Sequence, residues 1–512
     1  MGVRMPTKAL HFRWFALPLA AVAAVAGLGG CSSSADEASA SPTPGDPVAS
    51  DGSLTLVEDG LDAGSTASLN AAATESFAGV SAPGAVMAIR TPEGTWAATI
   101  GFLDWDETTP ITADVHQRVG SVTKTFTVTA LLQLAERGDL SLDDPIDRYV
   151  PGMPNGDATL YDLAAMRSGI PSYTFDEEFQ QTVFADPNHA WAPQELVDLV
   201  KGDAPMFAPG TRTFYSNTNT VLLGMVIEQV AGRPIQDVMQ EQIIGPLGLS
   251  GTVFPTDASF PEPHANGYTT QGTDDGLPVD ATDWNPSWGW TAGAMISDLD
   301  DLLVWGEALV TGEGLLSPEW QQTRLDSFDF SIPVYVGEGQ DAPQSEARAY
   351  GLGLGLALGW YGHTGELPGY NTVVQHHPET GTTLIVMVNS DIKSGECPAD
   401  ARPRPAGAPP VRAKTRPCTS RTRSPRRSGR RSWRGERANA PRIVHESTEF
   451  ENHLELARRA ASGRAPRGSE AGPRCPRGRS GRLCRMIYAV SVWPGSDSEW
   501  GDGHGGARGR EH

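Results

Sequence analysis

Between residues 32 and 396 there is no cysteine; the five in the chain are Cys31, Cys397, Cys418, Cys475 and Cys484. Thiol chemistry and a disulfide framework are therefore excluded from the central region. Lysine is almost as scarce, with only Lys124 and Lys201 between residues 32 and 390. Residues 1–400 hold 15 basic and 52 acidic side chains. So acidic a surface repels nucleic acid and anionic lipid, so no nucleic-acid partner is expected. Residues 401–512 are a different polymer, with 25 Lys+Arg against 10 Asp+Glu. There is no internal repeat, and the apolar run Trp14–Leu28 is too short for a comfortable membrane span.

That run follows Arg4, Lys8 and Arg13, the basic start of a signal peptide, and ends Leu28-Gly29-Gly30-Cys31 before three serines. The pattern resembles a bacterial lipobox, in which the cysteine sulfur takes a diacylglycerol thioether and becomes the mature N-terminus. Residues 1–31 are thus read as a lipoprotein signal peptide and Cys31 as the lipidation site. The protein is expected to be exported and held to the outer face of the cytoplasmic membrane, since several acyl chains anchor firmly. An ordinary signal peptide with an incidental cysteine is the alternative. Residues 32–66, rich in Ser, Ala, Asp, Gly and Pro, read as a flexible tether.

Residues 67–395 read as one α+β unit. Ser68–Phe77 predicts a helix, and 82–90 and 95–102 predict strands joined at Pro92-Glu93-Gly94. Gly120 opens a helix over Ser121–Arg137 that Gly138 ends. Helical patterns recur at 159–167, 193–201, 218–231, 234–244 and 298–310, and strands at Thr372–His376 and Thr383–Val388. Strands at both ends with helices between predict an antiparallel sheet with an inserted all-α region.

Three segments carry chemistry. In Ser121-Val122-Thr123-Lys124, positions i and i+3 of a helix share a face, so the lysine amine reaches the serine oxygen. A serine hydroxyl needs a base, and lysine serves as one only when burial or positive neighbours lower its pKa. The Ser121 N–H at the helix start can hold an oxyanion. Tyr215-Ser216-Asn217 precedes the next long helix. Tyr215 can exchange protons with serine and lysine and protonate a leaving group, and Asn217 can bind the acyl-side amide carbonyl. His363-Thr364-Gly365 opens the terminal strands. Its backbone can pair with an extended substrate, Gly365 permits close approach, and the following N–H can complete the oxyanion hole. His363 by itself also reads as a structural histidine. A metal reading fails because no second ligand stands at suitable spacing, and serine acyl transfer calls for no cofactor.

The order Ser-x-x-Lys, Tyr-x-Asn, His-Thr-Gly resembles that of the penicillin-binding protein and class C β-lactamase superfamily. It is more closely similar to the secreted actinobacterial D-alanyl-D-alanine carboxypeptidases. The segments 118–124, 215–219, 264–268, 350–354 and 361–365 support the likeness. The resemblance implies a β-lactamase/transpeptidase-like fold, with terminal helices flanking the sheet. It also implies an acyl-enzyme on Ser121, with Lys124 and Tyr215 sharing the base and acid roles. It makes Trp288 a match to a substrate-pocket tryptophan, although Trp284, Trp288 and Trp290 equally read as core. The implied activity is D-Ala-D-Ala carboxypeptidase action on peptidoglycan stem peptides, with β-lactams as acylating ligands. The alternatives are a β-lactamase-like esterase, a D-amino-acid amidase, or a penicillin-binding protein with little turnover.

Two positions depart from that pattern. Gly355 stands where the resemblance places a carboxylate-binding arginine, and Glu366 replaces a small hydroxyl residue after His-Thr-Gly. Two like charges 4 Å apart repel by about 4 kcal/mol at an effective dielectric near 20. These positions fit a neutral or cationic leaving group better than a carboxylate, unless Arg348 compensates. Residues 396–512 are Arg-, Pro- and Gly-rich. They read as the product of a frameshift in a GC-rich gene or as a basic disordered tail, with one helical pattern at Thr448–Ala461.

The lipobox reading yields a direct test. The Cys31→Ala protein is expected in the medium, because acylation is the one attachment this reading supplies. Its retention in the membrane fraction, followed by immunoblotting, would contradict the reading.

Overall fold

The computed structural model describes residues 51–392, apart from 79, 274, 275, 338 and 339. Cys31, the pattern at Thr448–Ala461 and the expected C-terminal helix lie outside the described residues.

Among the described residues, eight strands form one sheet: β1 (Thr55–Asp59), β2 (Gly84–Thr91), β3 (Gly94–Gly101), β4 (Ala349–Tyr350), β5 (Gly355–Ala357), β6 (Trp360–Leu367), β7 (Tyr370–His377) and β8 (Thr382–Val388). Their spatial order is β1-β3-β2-β8-β7-β6-β5-β4, and every neighbouring pair is antiparallel. The β3-to-β4 connection holds the inserted helices, including α2 (Thr123–Glu136), α3 (Asn217–Ala231) and α4 (Leu299–Thr311). The expected α+β architecture is therefore the observed one.

The period of two along each strand separates two cores. Val86, Ala88, Val374, Ile385 and Met387 face α4 and the helical region. Ala85, Met87, Leu384, Val386 and Val388 face the other way, with Trp96, Ala98 and Ile100 of β3. That second face is covered by Leu69, Ala72 and Ala73 of the N-terminal helix α1 (Ala63–Phe77). Trp96 donates its indole N–H to Asn70 Oδ1 at 2.9 Å, so its buried polar edge is satisfied.

The tether boundary requires a correction. The stretch expected to be a tether to residue 66 includes β1, paired with β3, and the first turn of α1. Two cues lie in its polar composition. Leu54 and Leu56 alternate and pack on the second core, and Asp62 caps α1 by accepting from the N–H groups of Gly64 and Ser65.

α2 is held rigidly. All of its residues from Thr123 to Ala135 are buried, and Phe126 stacks on Trp305 of α4 at 3.7 Å between ring centroids. The Trp305 indole N–H donates to Thr125 Oγ1 at 2.9 Å. The helix whose first turn carries Lys124, directly after Ser121, is thereby locked to α4, which itself lies on the sheet.

Candidate active site

Ser121 lies in the 3-10 turn Gly120–Val122, which runs directly into α2. Lys124 Nζ is 2.8 Å from Ser121 Oγ and 2.6 Å from the Ala292 carbonyl oxygen, which accepts from it. Lys124 is fully buried, and burial alone pushes its pKa well below 10.5. Among the described residues no ion pair offsets that cost. Nζ donates to both oxygens, and burial favours the neutral form of the amine, whose lone pair can take the Ser121 proton.

Tyr215 stands on the other side of the same pair. Its ring centroid is 4.9 Å from Lys124 Nζ, and its hydroxyl hydrogen-bonds Ser121. Tyr215 is 38% exposed, yet desolvation dominates and raises its pKa. Its ring is enclosed by Lys124, Tyr350 and His363 while part of its surface stays open. Neutral Tyr215 is thus a proton donor rather than a phenolate.

The segment that carries Tyr215 is stitched to Pro171–Thr174. Asn217 N–H donates to Ser172 Oγ at 3.0 Å, and its side-chain amide donates to Thr174 Oγ1 at 3.2 Å. Thr218 Oγ1 donates to the Pro171 carbonyl at 2.7 Å and accepts from Tyr173 N–H at 3.0 Å. These bonds set the start of α3 and aim Tyr215 at Ser121. Sequence reasoning missed Ser172 and Thr174, whose cue is the run of short hydroxyl residues after Gly169-Ile170-Pro171.

β6 supplies the opposite wall. Thr364, Gly365 and Glu366 pair with Val373, Thr372 and Asn371 of β7. On the other side β5 reaches only Trp360–Gly362, so beyond Gly362 that edge has no strand partner among the described residues. Two glycines bring this edge against the nucleophile. A Cβ on Gly365 would lie 1.8 Å from the Val119 carbonyl oxygen and 3.0 Å from Ser121 N. A Cβ on Gly120, where φ is +53°, would lie 2.5 Å from Glu366 N. The N–H groups of Ser121 and Glu366 are therefore neighbours, as an oxyanion hole requires.

His363 is held as a neutral imidazole. Desolvation, then the proximity of Lys124, push its pKa down to about 3. Its Nδ1–H donates to the Thr364 carbonyl, so Nε2 accepts from Tyr350 Oη at 3.1 Å. The rings of Tyr215, Tyr350 and His363 lie within 6.0 Å of one another, centroid to centroid. Tyr350 is a third residue missed as an individual contact.

Trp288 is a correction. It is 6% exposed, meets Phe179 edge-on at 5.8 Å, and its carbonyl accepts from Tyr173 Oη at 2.5 Å. It belongs to core packing and offers a substrate almost no surface. Glu366 is half-buried, and its Oε1 accepts from Gln271 Nε2 at 3.4 Å. The same amide nitrogen donates to Asp391 Oδ2, which also accepts from Thr269 Oγ1 at 2.9 Å. Desolvation outweighs these bonds and raises the Asp391 pKa to about 7. Among the described residues no His, Cys, Asp or Glu cluster is placed to hold a metal ion.

The family model described as Beta-lactamase matches residues 69–405. A D-stereospecific amidohydrolase from Streptomyces is 35% identical, with a TM-score of 0.53, over 60% of this chain and 90% of that one. The D-amino acid amidase of Ochrobactrum anthropi is 29% identical, with a TM-score of 0.53, over 60% and 87%. A Bacillus subtilis protein named as a penicillin-binding protein, PbpX, is 25% identical over 60% of this chain and 70% of its own length. Among curated relatives, the chain spans 56% to 70% of the partner's length.

Acylation should follow the protonation of Lys124. The amine acts as a base only when neutral, so the rate is full above its folded pKa and falls as pH drops through it. A pH series of p-nitrophenolate bursts from p-nitrophenyl acetate should show an acid limb and a plateau beginning well below pH 10.5. Lys124→Met, an unbranched apolar fit to the buried position, should remove that limb and slow the burst about a thousandfold. An unchanged limb in the folded variant would contradict the assignment.

Proposed function

This chain belongs to the β-lactamase family, and we propose that it is a serine amidohydrolase that releases a leaving group without a carboxylate, with D-amino-acid amides as the substrate class. Ser121 Oγ forms a bond to the acyl carbon as the bond to the leaving nitrogen breaks. The serine proton passes through Lys124 and Tyr215 to that nitrogen. Water then takes the acyl group from Ser121, its proton returning along the same two side chains. The N–H groups of Ser121 and Glu366 receive the oxyanion in both halves.

The observation that carries the choice of leaving group is the carboxylate of Glu366. It directly follows Thr364 and Gly365 on the open edge of β6, bridged through Gln271 to Asp391. Gly355, paired with Gly362, has no side chain to offer a substrate carboxylate. Arg348 lies in the Ser345–Arg348 turn ahead of β4. A D-Ala-D-Ala peptide would bring its terminal carboxylate toward an existing anion, whereas an amide that releases ammonia does not. The names of the two amide-cleaving relatives support this reading over carboxypeptidase action. Transfer of the acyl group outside the cytoplasmic membrane, with Cys31 as anchor, completes the proposal.

The comparison of substrates tests it. The native enzyme should cleave an acyl-D-Ala-D-Ala amide faster than the matching free acid. Glu366→Thr should raise kcat/KM for the acid relative to the amide, by roughly tenfold, and adding Gly355→Arg should raise it further. A native preference for the free acid, or an unmoved ratio in both variants, would overturn the reading.

A further inference from the structure

His363 sits among the reacting groups yet takes no step in the chemistry above. Its ring centroid is 6.0 Å from that of Tyr215, which in turn lies 4.9 Å from Lys124 Nζ and hydrogen-bonds Ser121. Lys124 is near enough to help hold the imidazole uncharged. A histidine so placed is ordinarily a candidate to carry protons. Here both of its ring nitrogens are committed. The Thr364 carbonyl can only accept, so Nδ1 carries the hydrogen. Nε2 then holds a lone pair, and Tyr350 Oη, 3.1 Å away, points its hydrogen at it. Burial, then the neighbouring Tyr215, raise the Tyr350 pKa well above 10.0, so that hydrogen stays in place.

Tyr350 is itself fixed to the Tyr215 segment. Its backbone N–H donates to Gln344 Oε1 at 3.1 Å. A backbone N–H can only donate, so the oxygen of this buried amide faces Tyr350. The amide nitrogen donates to Thr213 Oγ1 and to the Ile332 carbonyl, each at 2.9 Å. Thr213 stands two residues before Tyr215, and Phe214 N–H, between them, donates to the Met166 carbonyl at 2.8 Å. One buried glutamine thus sets the spacing between the two tyrosines. Their rings meet edge to face, 5.8 Å apart and 86° to each other. The Tyr350 and His363 rings meet in the same way, at 5.6 Å and 87°. Each ring fixes the plane of the next.

We propose that Tyr350 is a positioning residue for the acyl transfer: its hydroxyl takes up the second nitrogen of His363 and leaves the imidazole as a fixed wall that bears on Tyr215 and carries no proton. The inference rests on acyl transfer at Ser121 with Tyr215 as the acid, and holds whether the leaving group is an amine or an alcohol. Without the hydroxyl, Nε2 would be a buried acceptor with nothing to accept from. The ring would then turn or take a proton, and Tyr215 would lose the surface that aims it at the departing atom.

The leaving group separates positioning from simple packing. A p-nitrophenolate leaves as a stable anion and needs no proton, whereas methoxide needs one. The ratio kcat/KM reports acylation and would be measured for the p-nitrophenyl and methyl esters of acetyl-D-alanine. The proteins compared are the native chain, Tyr350→Phe, His363→Phe and the double variant. Tyr350→Phe should lose roughly tenfold or more on the methyl ester and less than about twofold on the p-nitrophenyl ester. In the His363→Phe background it should lose nothing further, because Tyr350 acts through the imidazole. Equal losses on both esters, no loss on either, or a full further loss in the double variant would overturn the positioning role. The native protein supplies a check that needs no variant to fold. Nitrogen NMR at neutral pH should show His363 protonated at Nδ1 and bare at Nε2, and a hydrogen on Nε2 would overturn the role as well. Failure of the native protein to cleave either ester would remove the acyl-transfer reading and the positioning role with it. Native cleavage of both esters, with the same leaving-group dependence in Tyr350→Phe, would remove the positioning role alone.

Discussion

The burial of the Lys124 amine against Ser121 is the constraint to which the rest of the site answers. A lysine in water is a cation and no base at all near neutrality. Here it lies under the first turns of α2 with a backbone carbonyl and a serine hydroxyl as partners, and burial alone lowers its pKa well below 10.5. The same enclosure explains the states of its neighbours. His363 is pushed toward its neutral form first by the same desolvation and then by the charge that a protonated Lys124 carries. Tyr215 keeps its proton through that desolvation. A site assembled from neutral acids and bases can pass a proton between serine, lysine and tyrosine without first separating charge.

Such an arrangement works only if helix and strand meet at backbone distance. Gly120 and Gly365 make that possible, since a Cβ at either would strike main-chain atoms of the other element. The stacking of Phe126 on Trp305 then ties α2 to α4, and α4 to the sheet that holds β6. Catalytic geometry is thus set from two directions, through the core and through the glycine contact. Glu366 and Gln271 lie outside both of these restraints, bonded to each other at the open edge of β6. That division fits a family in which relatives named as penicillin-binding proteins and as D-amino acid amidases share one fold.

Much of this was legible before the fold was seen. Ser121, Lys124 and Tyr215 declare themselves through local patterns: an i, i+3 pair at a helix start, and a tyrosine just ahead of a helix in a chain nearly empty of lysine. The terminal strands and inserted helices were legible from their periods. What escaped depends on contacts between distant positions. Tyr350 meets His363 across two turns of sheet, and Thr174 meets Asn217 across more than forty residues of chain. No spacing rule marks either. Trp288 was read toward the pocket because an aromatic residue carries the same letter in a core as in a cleft. β1 was hidden because Leu54, just before it, and Leu56, within it, stand in a Ser- and Gly-rich stretch that resembles a linker in composition alone.

The central claim is that Ser121 becomes covalently acylated with Lys124 as its neutral base. The most direct measurement is peptide mapping by mass spectrometry after an acid quench of the protein incubated with a β-lactam. Ring opening expels no leaving group, so the acylated peptide gains the whole mass of the β-lactam. The account predicts that gain on the peptide containing Ser121 and its absence in the folded Ser121→Ala protein. An adduct mapped to another residue, or one that persists in Ser121→Ala, would contradict it.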